Sequence, residues 1–237
     1  VLMKQFQVAE FLSLSVQTRM TYTIMVPTMY ALLLERADLA EYGLDAWRIG
    51  GFGGAPMPVP VAERLAQQLP NLQLANCYGA TETVAAVVIT PEDSAAVCKD
   101  VIGTVIEGAD IRVMSSKRAE VPNGENGELW ISGPTLVKGY WDNPEATQTS
   151  FVGGYWQSGD VGSIDINGHV RVLDRIKDMI NRGGFKIYSA EVESLLTSYN
   201  AVLEAAIVGR PCPILGERVH AFVTVSPLAS IQTIEAA

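Results

Sequence analysis

Asn76-Cys77-Tyr78-Gly79-Ala80-Thr81-Glu82 is the stretch on which the reading of this chain turns. It stands between a short apolar run at 72–75 and a β-branched run at 84–90. Both runs read as buried-type strands. A strand that ends in a glycine turn, followed at once by a hydroxyl and a carboxylate, delivers polar groups to the end of a sheet. Ligands of open α/β sheets bind at that end. One Tyr-Gly-x-Thr-Glu pentapeptide is also what an ordinary turn looks like. Its weight comes from three later segments: residues 127–140, Ser158-Gly159-Asp160, and residues 174–187.

Working back from this stretch, the first hundred residues alternate helix and strand signals. Pro27-Thr28 opens a helix with Met29, Leu32 and Leu33 at helical spacing, and Thr28 is expected as its N-cap. Residues 44–49 read as a strand running into the glycine-rich stretch 50–56. Ala62, Leu65, Ala66 and Leu69 recur at i, i+3, i+4 and i+7, an amphipathic helix that stops at Pro70. Alternation of this kind implies a sheet covered by helices.

Past Lys99 the pattern changes to short strands and glycine turns. Residues 111–114, 128–132 and 161–166 are the best strands, and Asn167-Gly168 between two alternating runs is a strong hairpin signal. Past Asp174 it changes again. Ser189 is expected to cap a helix with Glu191 and Glu193 in its first turn and Val192, Leu195, Leu196 and Tyr199 as its apolar face. Strands at 205–208 and 219–225 follow. The fold class expected is therefore α/β and β mixed. An α/β sheet segment (1–98) leads to a small distorted β-barrel (99–176), and then to the start of a small α+β domain (177–237).

Composition narrows the function. The 237 residues are 48% hydrophobic and 18% charged, which reads as a soluble globular protein, and the net charge of −9 argues against a nucleic-acid surface. No apolar run is long enough to span a membrane, and no signal peptide is visible. Cys77, Cys98 and Cys212 are odd in number, lack metal-ligand spacing and suit a reducing, cytoplasmic compartment. The only histidines, His169 and His220, have no recognisable partner, so a histidine triad or zinc site is a poor reading. The chain also reads as cut at both ends. It begins at Val1 in apolar, helix-like sequence and finishes at Ala237 in what reads as a new loop.

Each motif has a plain reading beside the chemical one. The four glycines of 50–56 fit a flexible loop, and spacing alone favours that. They are not a dinucleotide fingerprint, because the spacing is wrong and prolines follow. Glycines also let the backbone approach a bulky ligand. Tyr78, Thr81 and Glu82 offer an aromatic face, a hydroxyl and a carboxylate, which are what a base, an α-phosphate and Mg²⁺ require. Asp160 is either a turn residue or an acceptor for two ribose hydroxyls. The charges of 174–187 fit an interdomain linker, and for Asp178 and Arg182 that reading stands.

Together the four segments resemble the adenylate-forming superfamily: acyl- and aryl-CoA ligases, peptide-synthetase adenylation domains and luciferases. The resemblance implies that Gly53, Gly54, Ala55 and Pro56 line the adenine and acyl pocket. It implies that Tyr78, with Gly79 and Ala80 in its turn, stacks on adenine, that Thr81 contacts phosphate and that Glu82 binds Mg²⁺. Residues 127–140 match a structural strand-turn-strand element. Ser158-Gly159-Asp160 stands where the family has Thr-Gly-Asp, so Asp160 would bind the ribose. Arg175 would bond ribose or phosphate, Lys177 would be the hinge of a C-terminal lid, and Gly183 and Gly184 would form a loop facing the thiol channel. Asp174 departs from the family, where most members have Gly. Leu215 departs where many CoA ligases carry an aromatic residue, and no CoA contact is assigned there.

The implied function is an ATP-dependent acyl/aryl-CoA synthetase, using ATP/AMP, Mg²⁺ and coenzyme A on a small carboxylic acid. A phosphate-wrapping loop and a Gly-Lys motif of the family have no counterpart here. The chain is accordingly expected to be a fragment that lacks the N-terminal half of its own enzyme and is inactive alone. The alternatives are a peptide-synthetase adenylation domain charging a carrier thiol, and a non-catalytic nucleotide-binding fragment.

Overall fold

Three strands run parallel in the first part of the chain: β1 (Tyr22–Met25), β2 (Ile49–Phe52) and β3 (Gln73–Tyr78). They belong to a computed structural model that describes residues 3–84, 87–90, 101–199 and 201–225. Cys98 and the loop expected after Val225 lie outside the described residues. The chain forms two compact units. The first comprises Val1–Asp110, Gly133–Trp141 and Asn167–Val170. The second comprises Ile111–Ser132, Asp142–Ile166 and Arg171–Ala237.

In the first unit β2 lies between β1 and β3, with Met25 opposite Phe52 and Phe52 opposite Asn76. All three strands therefore end at one edge of the sheet. β4 (Val88–Thr90) pairs antiparallel with β3, and β5 (Gly103–Val105) with β4. Helices α1 (Val8–Thr18), α2 (Pro27–Arg36) and α3 (Val59–Gln68) bury Leu12, Tyr30, Leu33, Leu34 and Leu65 with Phe52 and Leu74 of the sheet. Tyr30 stacks on Trp47 at a centroid distance of 6.1 Å, and its hydroxyl donates to the Gly51 carbonyl at 2.8 Å. A buried phenol needs such an acceptor. Burial also raises the Tyr30 pKa well above the ordinary range.

Two expectations fail here for physical reasons. Residues 44–48 are not a strand. Leu44 and Trp47 are both buried in the helical core, and a turn closed by the Trp47 amide on the Leu44 carbonyl at 2.8 Å brings them there. The strand begins at Ile49 and takes in Gly50 and Gly51, which the loop reading had excluded. A Cβ at Gly50 would meet the Tyr30 hydroxyl at 3.1 Å, and one at Gly51 the Thr23 carbonyl at 3.1 Å, so close packing explains these glycines. Thr28 is not the N-cap of α2. Val26 occupies that position, and Pro27 opens the helix where its missing N–H costs nothing.

β6 (Asp110–Met114), β7 (Gly127–Ser132), β9 (Tyr155–Ile164) and β10 (His169–Arg175), which apart from Asp110, His169 and Val170 belong to the second unit, are neighbours in the order β10-β9-β7-β6, with β8 (Phe151–Val152) on β9. This curled, open sheet is the barrel-like layer expected from the strand spacing. Gly168 at φ 82° makes the turn between β9 and β10. Helix α4 (Pro144–Ser150) is capped by Asn143, whose Oδ1 accepts from the Ala146 amide at 3.1 Å.

A separate four-stranded sheet follows, in the order β12-β11-β14-β13. It comprises β11 (Ile180–Arg182), β12 (Phe185–Ile187), β13 (Val202–Cys212) and β14 (Gly216–Val225). Helix α5 (Ser189–Thr197) packs against β13. Ser189 is its first helical residue rather than its cap, which is Tyr188. The expected apolar face is also incomplete. Val192 and Leu196 are half-buried, but Leu195 and Tyr199 are exposed. Glu193 is used inward instead, accepting from the Ile207 amide at 2.8 Å.

Candidate active site

The edge where β2 and β3 end carries the first group of candidate residues. β3 stops at Tyr78, and Thr81–Thr83 form a single 3-10 turn. The Thr83 hydroxyl closes this turn. It accepts from the Ala80 amide at 2.9 Å and donates to the Ala80 carbonyl at 3.0 Å. Thr83 is 1% exposed, so Thr81 and Glu82 are held out on a turn whose base is buried. Val84 then adopts φ 62°, a rare conformation for a β-branched residue. Of the run expected at 84–90, Val88–Thr90 form strand β4, and residues 85–86 lie outside the described residues.

The glycine loop after β2 lies against the same strand end. A Cβ at Gly53 would fall 2.5 Å from the Cys77 carbonyl oxygen, so backbone meets backbone there. Gly54 has φ 78°, and Gly54, Ala55 and Pro56 are exposed. The structure thus brings Gly53 to the residue preceding Tyr78. Loop and turn are adjacent, as a ligand-bearing strand end requires.

Glu82 is half-buried and held at two points by the segment 133–141. The Tyr140 hydroxyl donates to Glu82 Oε1 at 2.8 Å, and the Val137 amide donates to the Glu82 carbonyl at 2.8 Å. No described lysine or arginine pairs with Glu82. Among the described residues no cluster of three or more His, Cys, Asp or Glu is arranged to hold a metal. A single carboxylate with phosphate oxygens and water is the donor set that suits Mg²⁺, and Glu82 fits that role.

The second unit carries the other candidates. From Trp130↔Gln157 to Glu128↔Val161, β7 advances two residues while β9 advances four. Ser158-Gly159-Asp160 is thus a bulge, a device that re-aims side chains. Gly159 takes φ 74°, its amide donates to Glu128 Oε1 at 3.2 Å and its carbonyl accepts from the Ile176 amide at 2.8 Å. Ser158 Oγ accepts from the Asp160 amide at 3.0 Å. Asp160 then ion-pairs with Arg175, Oδ1 to Nε at 3.3 Å.

Lys177 is exposed in a turn between β10 and β11. Gly183 (φ 62°) and Gly184 (φ 94°) make the two-residue connection between β11 and β12. Positive φ at both positions is what a primed hairpin turn demands. Asp174 accepts from the Ser189 hydroxyl at 2.8 Å and also from the Ser189 and Arg175 amides.

Sequence reasoning did not single out three residues that hydrogen-bond to the candidate segments: Thr83, Glu128 and Tyr140. Thr83 carried no signal beyond its place after Glu82. Glu128 and Tyr140 sit inside the segment read as structural. A cavity of about 520 Å³ along β1, bordered by Phe6, Phe11, Met20 and Tyr22, includes none of the candidate residues.

Residues 1–141 match the family described as AMP-binding enzyme, and residues 191–236 match the AMP-binding enzyme C-terminal domain. The chain belongs to the AMP-binding enzyme family. It is 36% identical over 217 residues to a feruloyl-CoA synthase of Amycolatopsis sp, covering 92% of this chain and 44% of that protein. Among solved structures it resembles the amide bond synthetase McbA from Marinactinospora thermotolerans, with a TM-score of 0.89 and 30% identity over 97% of this chain and 47% of the other. It also resembles the o-succinylbenzoate CoA synthetase of Bacillus subtilis in complex with its acyl-adenylate, with a TM-score of 0.87 and 30% identity over 99% of this chain and 47% of the other. The chain thus spans a little under half the length of these AMP-binding relatives.

Proposed function

We propose that the chain is part of an ATP-dependent acyl- or aryl-CoA synthetase, which converts a carboxylate and ATP into an acyl-adenylate and then passes the acyl group to the thiol of CoA. The observation that supports this most is Glu82, a carboxylate fixed at the end of a parallel strand and not paired with any described basic side chain. Two of the three relatives named above are CoA synthetases, which favours CoA over a carrier-protein thiol.

Adenylation joins two anions, so the protein must offset charge and align the reactants. Mg²⁺, when bound, would supply the positive charge for the phosphates, and Glu82 would hold it. Tyr78 would face the adenine and Thr81 the α-phosphate. The loop of Gly53, Gly54, Ala55 and Pro56 would admit the base and the acyl group without side-chain obstruction, beside Gly79 and Ala80. Asp160 would accept from the ribose hydroxyls, and Arg175 would leave its present pairing enough to share that contact. We assign residues 177–237 to the lid domain, with Lys177 as its hinge and the Gly183–Gly184 turn facing the thiol path.

The test is ATP–pyrophosphate exchange by the natural full-length chain against a panel of aryl and aliphatic acids, with thioester formation followed on adding CoA. Exchange with at least one acid is expected, and exchange with none across the panel would refute the reading. The 237 residues alone contain no Gly-Lys dipeptide and are expected not to turn over; robust exchange by them alone would overturn that part.

A further inference from the structure

We infer that Tyr140 is a positioning residue for the metal-binding carboxylate, acting through Glu82; this rests on the adenylation reading above. Tyr140 and Glu82 are 58 residues apart in sequence, yet the phenol donates to Oε1 at 2.8 Å. The same short segment grips the main chain of Glu82 through the Val137 amide at 2.8 Å. One stretch of chain therefore fixes both the backbone and the side chain of one residue.

The chemistry of the contact matters as much as its length. A phenol donates one proton and brings no charge, so it orients the carboxylate without offsetting it. A lysine or arginine in its place would compete with a cation for the same oxygens. Occupying Oε1 also leaves Oε2 as the oxygen to which no described residue donates. A carboxylate on a one-turn 3-10 element has several rotamers, and a ligand that samples several rotamers binds a cation more weakly. Partners that orient a ligating group typically change metal affinity by about 10–100-fold when removed. The buried Thr83 hydroxyl holds the turn itself, so Tyr140 has the separate task of setting the side chain.

The experiment compares Tyr140→Phe, Glu82→Gln, Glu82→Asp and Tyr140→Phe/Glu82→Asp in the natural full-length chain. Two readouts are taken: the Mg²⁺ concentration giving half-maximal ATP–pyrophosphate exchange, and the Mg²⁺ dependence of the rise in Tm that ATP produces. Tyr140→Phe is expected to raise the half-maximal Mg²⁺ about tenfold in both. Its Tm without nucleotide and its exchange rate at saturating Mg²⁺ should stay close to those of the parent. A merely structural tyrosine would instead lower Tm and leave the Mg²⁺ midpoint unmoved. Glu82→Asp draws the carboxylate back from the phenol, so the double variant should be no worse than Glu82→Asp alone. Additive losses in the double variant, or an unmoved Mg²⁺ midpoint in Tyr140→Phe while Glu82→Gln is defective, would overturn the role of Tyr140 and leave the enzyme reading intact. A Glu82→Gln variant with unchanged Mg²⁺ dependence would overturn the metal assignment itself.

Discussion

Arg175 Nε lies 3.3 Å from Oδ1 of Asp160, so the two residues assigned to the nucleoside are paired with one another. Arg175 is largely exposed and Asp160 is largely covered, with side-chain accessibilities of 62% and 13%. The bulge at Ser158-Gly159-Asp160 holds the carboxylate, and the guanidinium comes to it from the end of β10. An ion pair with one exposed partner adds little to stability, commonly about 0–1 kcal/mol. On the proposed reading, the pair would pre-orient Asp160 for the ribose hydroxyl donors.

Arg175→Lys is therefore expected to separate binding from stability. The lysine keeps the charge and loses the planar fork. The KM for ATP should rise several-fold, while Tm should move by no more than about 2 °C, as for a change of well under 1 kcal/mol. Steady-state kinetics and a thermal melt on the same preparation check both. A large fall in Tm would mean that the pair holds the β9–β10 layer together instead.

The two glycines of the loop after β2 should fail differently. At Gly53 any side chain meets the Cys77 carbonyl, since a Cβ would sit 2.5 Å from that oxygen and backbone cannot give way as a side-chain tip can. At Gly54 there is room, with Val26 Cγ1 at 3.8 Å, and only the positive φ resists. Gly53→Ala should cost about 1–3 kcal/mol, the usual penalty of overpacking. Gly54→Asn should cost less than Gly54→Ala, because Asn tolerates positive φ. Urea unfolding of the four chains, including Gly53→Asn, checks the contrast. Relief of the Gly53 penalty by Asn would show that conformation, not contact, is the cause there.

Legibility followed periodicity. The α3 pattern of Ala62, Leu65, Ala66 and Leu69 predicted a helix that the structure places at Val59–Gln68, because apolar residues at helical spacing advertise it; Leu65 is buried and Leu69 is its buried C-cap, while Ala66 is exposed. Strand β2 did not. Gly50 and Gly51 carry no β propensity, and their place in the sheet follows from Tyr30 and Thr23 packing against them, which are contacts distant in sequence. The same holds at the site. Glu82 was legible from its neighbours in the chain. Its partner Tyr140 was not, because a hydrogen bond across 58 residues leaves no local trace. Ser189 read as a cap because Ser is a good one. The structure uses it one position later, where Asp174 supplies the acceptor that a cap would have supplied.

Cys77 and Cys212 are expected to titrate apart. Burial pushes the Cys77 thiol up. The Cys212 thiol is pulled down, first by the Leu215 and Ile214 backbone amides of the β13–β14 turn and further by the Arg218 guanidinium. The thiolate is the reacting form. As pH is raised, Cys212 should therefore reach half-maximal alkylation by iodoacetamide at a lower pH than a free thiol, and Cys77 at a higher one. Peptide mass spectrometry of timed samples reads each site separately. Cys77 labelled first near neutral pH would contradict both environments.

Asp174 ties the end of β10 to the start of α5, on either side of the proposed hinge at Lys177. Its carboxylate accepts from the Ser189 amide and hydroxyl and from the Arg175 amide, and the residue is 9% exposed. The Ser189 amide is one of the first N–H groups of a helix, which have no partner within the helix. Removing the carboxylate leaves buried donors unmatched, at a cost of about 1–3 kcal/mol. Asp174→Ala should accordingly speed hydrogen exchange at the Ser189 amide, while amides of α3 in the other unit keep their protection. Asp174→Asn retains one acceptor oxygen and should fall between the two. If Ser189 exchanges at the parent rate in Asp174→Ala, α5 is held by its packing on β13 and not by this carboxylate. If α3 loses protection as well, the substitution has unfolded more than the hinge region, and the tie would be part of the global fold and not a local latch.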